Sequence, residues 1–199
     1  EAGNGMHVHL SVVDKDGNNV FTVDKNKQPQ GLFSQAIGGL LKTTPDFLSF
    51  YAPHSNSYRR LVHNADHAPT TLSWGNENRT ALIRLPEASA EATRLEFRVA
   101  SADSNPYLVF ASVLASVYAG IQGKLQHDKE TIGNAHAQHP PSLGVTWREA
   151  VEKTSVSSIV KDFFGEQFQQ CYKCVKESEI KRFESTITDF EYHSYLRCL

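Results

Sequence analysis

The sequence predicts an α+β fold in which helices pack against an antiparallel sheet. Segments with the strand-like alternation of apolar and polar residues lie mainly in the first half of the chain, and segments with helical spacing lie mainly in the second half. Turn-forming residues separate the strand-like segments over short distances, as between antiparallel neighbours. At 199 residues and 40% hydrophobic content, the chain is long enough to bury one ordinary core.

The predicted sheet begins near the amino terminus. Residues 6–12 place methionine, valine and leucine side chains on one face and two histidines and a serine on the other. Asp, Gly and Asn residues in 14–18 provide turn chemistry, so a hairpin with 19–23 is predicted. Residues 25–30 are expected to form a polar loop.

The remaining predicted strands lie in the middle of the chain. Residues 70–74 and 80–85 are interpreted as a hairpin around the polar stretch 75–78. After a loop over 86–92, residues 93–100 alternate again and form the next predicted strand.

Helices account for most of the other segments. One is predicted over 34–42, ending before Pro45, with a short helix or turn over 46–51 and a polar loop over 53–69. Asn105 and Pro106 suit the start of a helix that extends to about residue 125. This helix is expected to bury Phe110, Leu114, Val117 and Ile121.

The last third of the chain is predicted to be mostly helical. A loop over 126–141 precedes a capping box that begins at Thr146 and opens a short helix. Longer helical patterns cover 164–184 and 187–196.

Composition excludes several classes of protein. The formal charge of −2 argues against a general nucleic-acid interface, yet six of the nine arginines lie between residues 59 and 98, which favours a small anionic ligand. No apolar run approaches membrane-spanning length. Three cysteines are too few for a secreted disulfide framework, so a reducing, cytoplasmic compartment is expected. The C-x-x-C pair at 171 and 174 lacks the second pair that a zinc site needs.

The run Arg-Leu-Glu-Phe-Arg at 94–98 is the most informative motif. In a strand, Arg94, Glu96 and Arg98 point to one face. A carboxylate between two guanidiniums stays ionised, because nearby positive charge lowers its pKa. Such a row suits a site in which Glu96 ligates a cation and the arginines bind phosphate or carboxylate oxygens. The alternative is an ion-pair row on a solvated sheet face.

Three segments in order resemble a known family. They are Gly-Met-His-Val-His-Leu-Ser at 5–11, Asn-Ser-Tyr-Arg-Arg-Leu-Val at 56–62, and the stretch from Asn78-Arg79 through Ile-Arg-Leu-Pro at 83–86 and Arg-Leu-Glu-Phe-Arg to Ser-Asn-Pro-Tyr at 104–107. Together they resemble the glutamine synthetase superfamily, which includes the glutamate–polyamine ligases. The resemblance extends from Gly3 to about residue 122 and continues weakly to the end of the chain.

The resemblance implies an activity and its cofactors. Members join the γ-carboxylate of glutamate to ammonia or an amine through γ-glutamyl phosphate, with ATP as a substrate and Mg²⁺ or Mn²⁺ as cofactor. They assemble into homo-oligomeric double rings of 10 or 12 subunits. By resemblance, residues 1–199 are part of a glutamine synthetase-like catalytic domain, without the amino-terminal β-grasp domain and the first part of the catalytic domain. These 199 residues alone are therefore expected to lack ligase activity.

The resemblance also implies a role for each matched residue. The implied metal ligands are His7 and Glu96. The implied ATP contacts are His9, Ser11, Arg79, Arg84 and Arg94, and Arg84 is also counted as catalytic. The implied glutamate contacts are Gly3, Arg60 and Arg98.

The loop after the paired arginines departs from the family pattern. Where the family has a glutamate that covers the site and takes a proton from ammonium, this chain has His67 with Asp66 beside it. Either is a candidate catalytic base, since an imidazole of near-neutral pKa suits deprotonation of an amine. The alternative is that both are solvated loop residues. The change leaves room for an amine bulkier than ammonia.

Two other positions also depart from the family pattern. Ala2 stands where the family has an asparagine, and Glu91 where some members have a lysine. A non-catalytic relative that keeps the fold for assembly is the main alternative to an enzyme. An unrelated nucleotide-binding module is disfavoured because the chain lacks a Gly-rich phosphate loop.

Overall fold

A computed structural model describes residues 4–62 and 68–198 of the chain. Its strands are β1 (Val8–Leu10), β2 (Thr22–Val23), β3 (Pro29–Gln30), β4 (Trp74–Asn76), β5 (Ile83–Leu85) and β6 (Leu95–Phe97). Its α-helices are α1 (Gly31–Tyr51), α2 (Ser55–Arg60), α3 (Pro106–Gln122), α4 (Ala135–Gln138), α5 (Trp147–Val156), α6 (Ser158–Phe164), α7 (Glu166–Glu184) and α8 (Asp189–Tyr195), with a 3₁₀ turn at Ala90–Ala92. The predicted α+β class is confirmed.

The main sheet has the strand order β1-β6-β5-β4. Strand β6 is antiparallel to both β1 and β5, but β4 and β5 are parallel, with Trp74 opposite Ile83. The predicted hairpin over 70–85 is therefore wrong, and the sheet is mixed. The connecting segment contacts a distant loop: the Asn78 side-chain amide donates to the carbonyls of Thr131 and Gly133, both at 2.8 Å.

The hairpin predicted near the amino terminus is present only as a turn with a single bridge. The Asp14 carboxylate accepts hydrogen bonds from the amides of Asp16 and Asn18, which confirms the turn, but only one bridge, between Val13 and Asn19, follows. Residues 22–23 pair instead with 29–30, in the segment predicted as a loop. The second segment of the hairpin thus belongs to a separate two-stranded ribbon.

Helix α1 continues through Pro45, so the prediction that it ends before this residue is wrong. Leu40 before the proline and Phe47 after it are both fully buried, and this packing on both sides offsets the backbone hydrogen bond that proline cannot make. The Thr44 hydroxyl adds a 2.6 Å hydrogen bond to the Leu40 carbonyl. The two short elements predicted here are one long helix.

Helix α3 begins as predicted, because the Asn105 side chain accepts hydrogen bonds from the amides of Tyr107 and Leu108. The predicted buried face is partly wrong. Val117 is buried, but Phe110 is 50% exposed and Leu114 is 58% exposed.

The reason is that small residues, rather than large ones, form the contact of α3 with α1. A Cβ atom placed on Gly39 would lie 2.2 Å from the carbonyl oxygen of Ser116 and 2.8 Å from the Cα of Gly120. The two backbones therefore approach more closely than any side chain permits. This crossing turns the small face of α3 inward and leaves its aromatic face exposed.

The carboxyl-terminal third is helical as predicted. The capping box at Thr146 is present, while Gly165, with φ of 84°, separates α6 from α7 within the segment predicted as one helix. Cys171 and Cys174 lie on α7 as exposed free thiols. In the described part of the chain, no helix combines the length and apolar character needed to cross a membrane.

Candidate functional site

Three neighbouring strands place their charged residues in one row. In the register of β1 with β6, His9 lies opposite Glu96, and in that of β5 with β6, Arg84 lies opposite the same glutamate. Because side chains alternate along a strand, His7 and Arg98 share this face. The predicted alternation of residues 94–98 is thus confirmed, with Leu95 and Phe97 buried in the core.

Glu96 lies at the centre of this row, and its side chain is only 3% exposed. One carboxylate oxygen, Oε1, accepts from Arg98 Nη1 at 2.5 Å and lies 2.8 Å from His7 Nδ1. The other oxygen, Oε2, accepts from Arg84 Nη1 at 2.7 Å. We call these four residues, His7, Arg84, Glu96 and Arg98, the Glu96 cluster.

The cluster keeps Glu96 ionised. Burial raises the pKa of its carboxyl group, but the hydrogen bonds and positive charges of Arg84 and Arg98 outweigh burial, so the net pKa is lowered. The sequence predicted that the Glu96 carboxylate lies between Arg94 and Arg98. The structure confirms Arg98, but the prediction of Arg94 is wrong. Arg84 lies directly opposite Glu96 on the neighbouring strand β5 and contacts it, whereas the Arg94 side chain donates to His9 instead.

Glu77 is a further member of this network that sequence reasoning missed. It follows β4 directly, with φ of 51°, and its Oε2 accepts from Arg84 Nη2 at 2.6 Å. This hydrogen bond is the largest cause of the lowered pKa of Glu77. Arg84 is thereby held between two carboxylates. The one signal in the sequence was the position of Glu77 just after a strand-like segment.

Arg60 lies beside the cluster at the carboxyl end of β6. Its Nη2 donates to the Val99 carbonyl at 2.5 Å and to the Ser101 hydroxyl at 3.3 Å. Burial and the charge of Arg98 lower the pKa of the Arg60 guanidinium, while Asp103 raises it. The structure therefore brings together two of the arginines predicted to bind carboxylates, Arg60 and Arg98.

The predicted ATP contacts are more dispersed. Arg94 Nε donates to His9 Nδ1 at 3.4 Å, and Arg94 borders a cavity of about 210 Å³ that Glu77 also lines. The carbonyl of Arg79 accepts from Arg98 Nη2 at 2.9 Å, and the side chain of Arg79 is exposed. Ser11 is exposed one residue beyond β1. Gly3, Asp66 and His67, for which roles were also predicted, lie outside the described residues.

His7 and Glu96, the two predicted metal ligands, lie next to each other, with His7 Nδ1 2.8 Å from Glu96 Oε1. Burial and the nearby Arg98 charge lower the pKa of His7 despite the opposing effect of Glu96, which favours the neutral imidazole that binds metals. A carboxylate oxygen is a ligand that Mg²⁺ prefers. Within residues 4–62 and 68–198, no group of three or more His, Cys, Asp or Glu side chains is placed to hold an ion. His7 and Glu96 alone therefore do not make up a metal site in the described part of the chain.

Comparison with known proteins adds independent information. The family model for the catalytic domain of glutamine synthetase matches residues 1–195. The chain is 33% identical over 190 residues to gamma-glutamylputrescine synthetase of Escherichia coli, covering 96% of this chain and 40% of that protein. It is 32% identical over 189 residues to gamma-glutamylethanolamide synthetase of Streptomyces coelicolor, covering 95% of the chain and 40% of that protein.

A third relative is a glutamine synthetase of Thermotoga maritima. It is 34% identical over 205 residues, which cover 98% of this chain and 46% of that protein. The chain thus spans less than half the length of each of these three relatives. The region matched by the family model, residues 1–195, includes every residue of the Glu96 cluster.

Proposed function

The chain belongs to the glutamine synthetase family, whose catalytic domain it matches, and from this premise we propose that it is part of an ATP-dependent glutamate ligase. The proposed reaction joins the γ-carboxylate of glutamate to ammonia or an amine. The observation that carries the proposal is the Glu96 cluster, in which a buried, ionised carboxylate lies between two guanidiniums and a neutral histidine. A site that gathers these groups suits the transfer of a charged phosphoryl group.

In the proposed reaction, ATP transfers its γ-phosphoryl group to the γ-carboxylate and leaves as ADP. The amine nitrogen then attacks the acyl carbon of γ-glutamyl phosphate, loses a proton and displaces phosphate. Arg84 and Arg79 are proposed to bind the phosphate oxygens, while Arg60 and Arg98 hold the carboxylates of glutamate. Guanidiniums suit both tasks, because their fixed fork of donors matches two oxygens at once. His9, Ser11 and Arg94 are proposed to contact ATP.

His7 and Glu96 are the residues proposed to hold Mg²⁺ or Mn²⁺. The bound ion would supply charge stabilisation for the phosphoryl group. The lowered pKa values of His7 and Glu96 keep both groups in the forms that bind cations. The pairing of Glu96 with Arg98 also fixes the direction of the carboxylate.

The identity of the amine is the finer part of the proposal. One relative is named a gamma-glutamylputrescine synthetase, the second a gamma-glutamylethanolamide synthetase and the third a glutamine synthetase. His67 or Asp66 is proposed as the base that deprotonates the acceptor, in place of the usual glutamate of the family. Gly3 is proposed to lie near the bound glutamate. We further propose a cytoplasmic protein that assembles as a double ring of 10 or 12 subunits.

We call the ligase of which this chain is proposed to be part the full-length protein. With ATP, glutamate and Mg²⁺, we expect it to release ADP faster in the presence of one amine than in the presence of ammonium. The physical reason is that an imidazole in place of a carboxylate removes a negative charge that would bind ammonium. The measurement is ADP release with ammonium, a panel of mono- and diamines, and a blank without an acceptor.

The result discriminates between three outcomes. Stimulation by an amine above ammonium supports a γ-glutamyl-amine ligase, and greater stimulation by ammonium indicates glutamine synthesis instead. Folded full-length protein that responds to no acceptor contradicts the ligase proposal. Replacement of His67 by glutamate in the full-length protein is a matched test, expected to shift preference toward ammonium.

The 199-residue chain alone is expected to release no ADP above the blank under the same conditions. Its described residues provide only two candidate metal ligands, His7 and Glu96, and an incomplete metal shell leaves the transferring phosphoryl group without its charge compensation. Circular dichroism establishes that the chain is folded in the assay. Glutamate-dependent ADP release by this chain would show that the expectation is wrong.

A non-catalytic relative is the second candidate, and one observation favours it. Both oxygens of Glu96 are already paired, one with Arg98 and His7 and the other with Arg84, so the cluster is satisfied without a cation. Mg²⁺-dependent binding of ATP to the full-length protein discriminates between the two candidates. Binding that is independent of Mg²⁺, or no binding, supports the non-catalytic relative.

A further inference from the structure

A second concave site lies apart from the Glu96 cluster, between α2 and the carboxyl-terminal end of α7. It is a cleft of about 640 Å³, to which α5 contributes one aromatic wall. The lining residues that matter here are Arg59, Trp147, Lys176, Arg182 and Phe183. None of them belongs to the Glu96 cluster, and none has a role in the proposed ligase reaction.

The cleft carries positive charge without matching negative charge. Lys176 is neutralised by Glu179, whose Oε2 lies 2.7 Å from its Nζ. Arg59 and Arg182 have no acidic partner within residues 4–62 and 68–198. The one carboxylate in the described lining, Glu179, is paired with Lys176, so the two guanidiniums are left to attract an anion with two negative charges, since each can bind two oxygens.

The cleft also has an aromatic wall. The rings of Trp147 and Phe183 meet edge to face with centroids 6.1 Å apart, and Phe183 is 48% exposed. Trp147 is 9% exposed, and its Nε1 donor has no acceptor among the residues that the structure describes. The exposed ring surface of Phe183 favours a ligand that carries an apolar ring.

We propose that this cleft binds a small aromatic anion with a doubly charged group, either a phosphate monoester or a pair of carboxylates. The anionic group lies between Arg59 and Arg182, and the ring packs against Phe183. Arg59 precedes Arg60 on α2, so the cleft lies one residue from a guanidinium proposed to bind glutamate. The inference is independent of the ligase proposal, since it depends on other residues and needs no turnover.

Isothermal titration calorimetry of the 199-residue chain tests this proposal. The probes are phenyl phosphate, phthalate and, as a neutral ring, benzyl alcohol. We expect the first or second probe to bind at one site and the neutral ring not to bind. Arg59→Gln and Arg182→Gln should each weaken binding about tenfold, because each variant loses a charge-assisted bidentate contact. The fluorescence of Trp147 should change on binding, since its ring lies in the cleft wall.

Two control variants locate the site. Lys181→Gln removes the same charge from the same helix outside the cleft and should change the affinity less than about twofold. Arg79→Gln removes a proposed phosphate contact of the ligase site and should leave the affinity unchanged. The proposal is overturned if neither anion binds at millimolar concentration, if benzyl alcohol binds equally well, or if Arg79→Gln weakens binding and the cleft variants do not.

Discussion

Replacement of Glu96 by glutamine is expected to lower the free energy of unfolding of this chain by about 3–5 kcal/mol. The side chains of Glu96 and Arg98 are each only 3% exposed, and the two form an ion pair. Glutamine has nearly the same shape but no charge, so the buried Arg98 would lose the opposite charge that Glu96 places 2.5 Å from its Nη1. Chemical denaturation followed by circular dichroism measures the change.

The control is Glu87→Gln, which removes a carboxylate of the same type from the surface. Glu87 pairs with Lys27 at 2.8 Å, but its side chain is 75% exposed, so the pair is screened by water. A change of less than about 1 kcal/mol is expected. Equal effects of the two substitutions would show that the Glu96 cluster is not a buried ion-pair network.

The pH dependence of the difference between wild type and Glu96→Gln provides an internal check. Because the arginines lower the pKa of Glu96 in the folded state, its stabilising contribution is fully present above the ordinary value of 4.5. The contribution is lost as the pH falls through the lowered folded-state pKa. The two proteins should therefore differ most near neutral pH and converge in acid, in buffer with EDTA to keep the site free of cations.

Much of the Glu96 cluster could be predicted from the sequence, because the side-chain period of a strand is fixed. The alternation in 6–12 and in 93–100 places His7 with His9, and Glu96 with Arg98, on one face, and the structure confirms both. The contact of Arg84 with Glu96 could not be predicted in this way. It depends on which strands are neighbours, and that is decided by the whole sheet.

The errors in the predicted fold also arise from contacts between segments that are distant in the sequence. The segment between the parallel strands β4 and β5 is hydrogen-bonded through Asn78 to a loop more than fifty residues away. The exposed position of Phe110 depends on the close approach of α1 and α3. Local patterns report period and propensity, but these two features were determined by contacts between distant segments.

Gly39→Ala is expected to lower the free energy of unfolding by a net of about 2 kcal/mol. Alanine favours the helical state over glycine by about 1 kcal/mol, but its Cβ would lie 2.2 Å from the Ser116 carbonyl oxygen. Both groups belong to helix backbones, so relief requires α1 and α3 to move apart, at a cost of about 3 kcal/mol. Thermal and chemical denaturation measure the net effect.

Gly144→Ala is the matched control, since the nearest atom to its added Cβ, the Cβ of Pro141, is 3.7 Å away. It should change stability by less than about 0.5 kcal/mol. The double variant Gly39→Ala with Gly120→Ala should lose less than the sum of the single losses, because both methyl groups force the same helices apart. Additive losses would contradict a shared crossing point. A displacement of α1 should also be felt at the candidate site. Tyr51, at the end of α1, packs on Phe97 with ring centroids 5.0 Å apart, and Phe97 is the neighbour of Glu96 in β6.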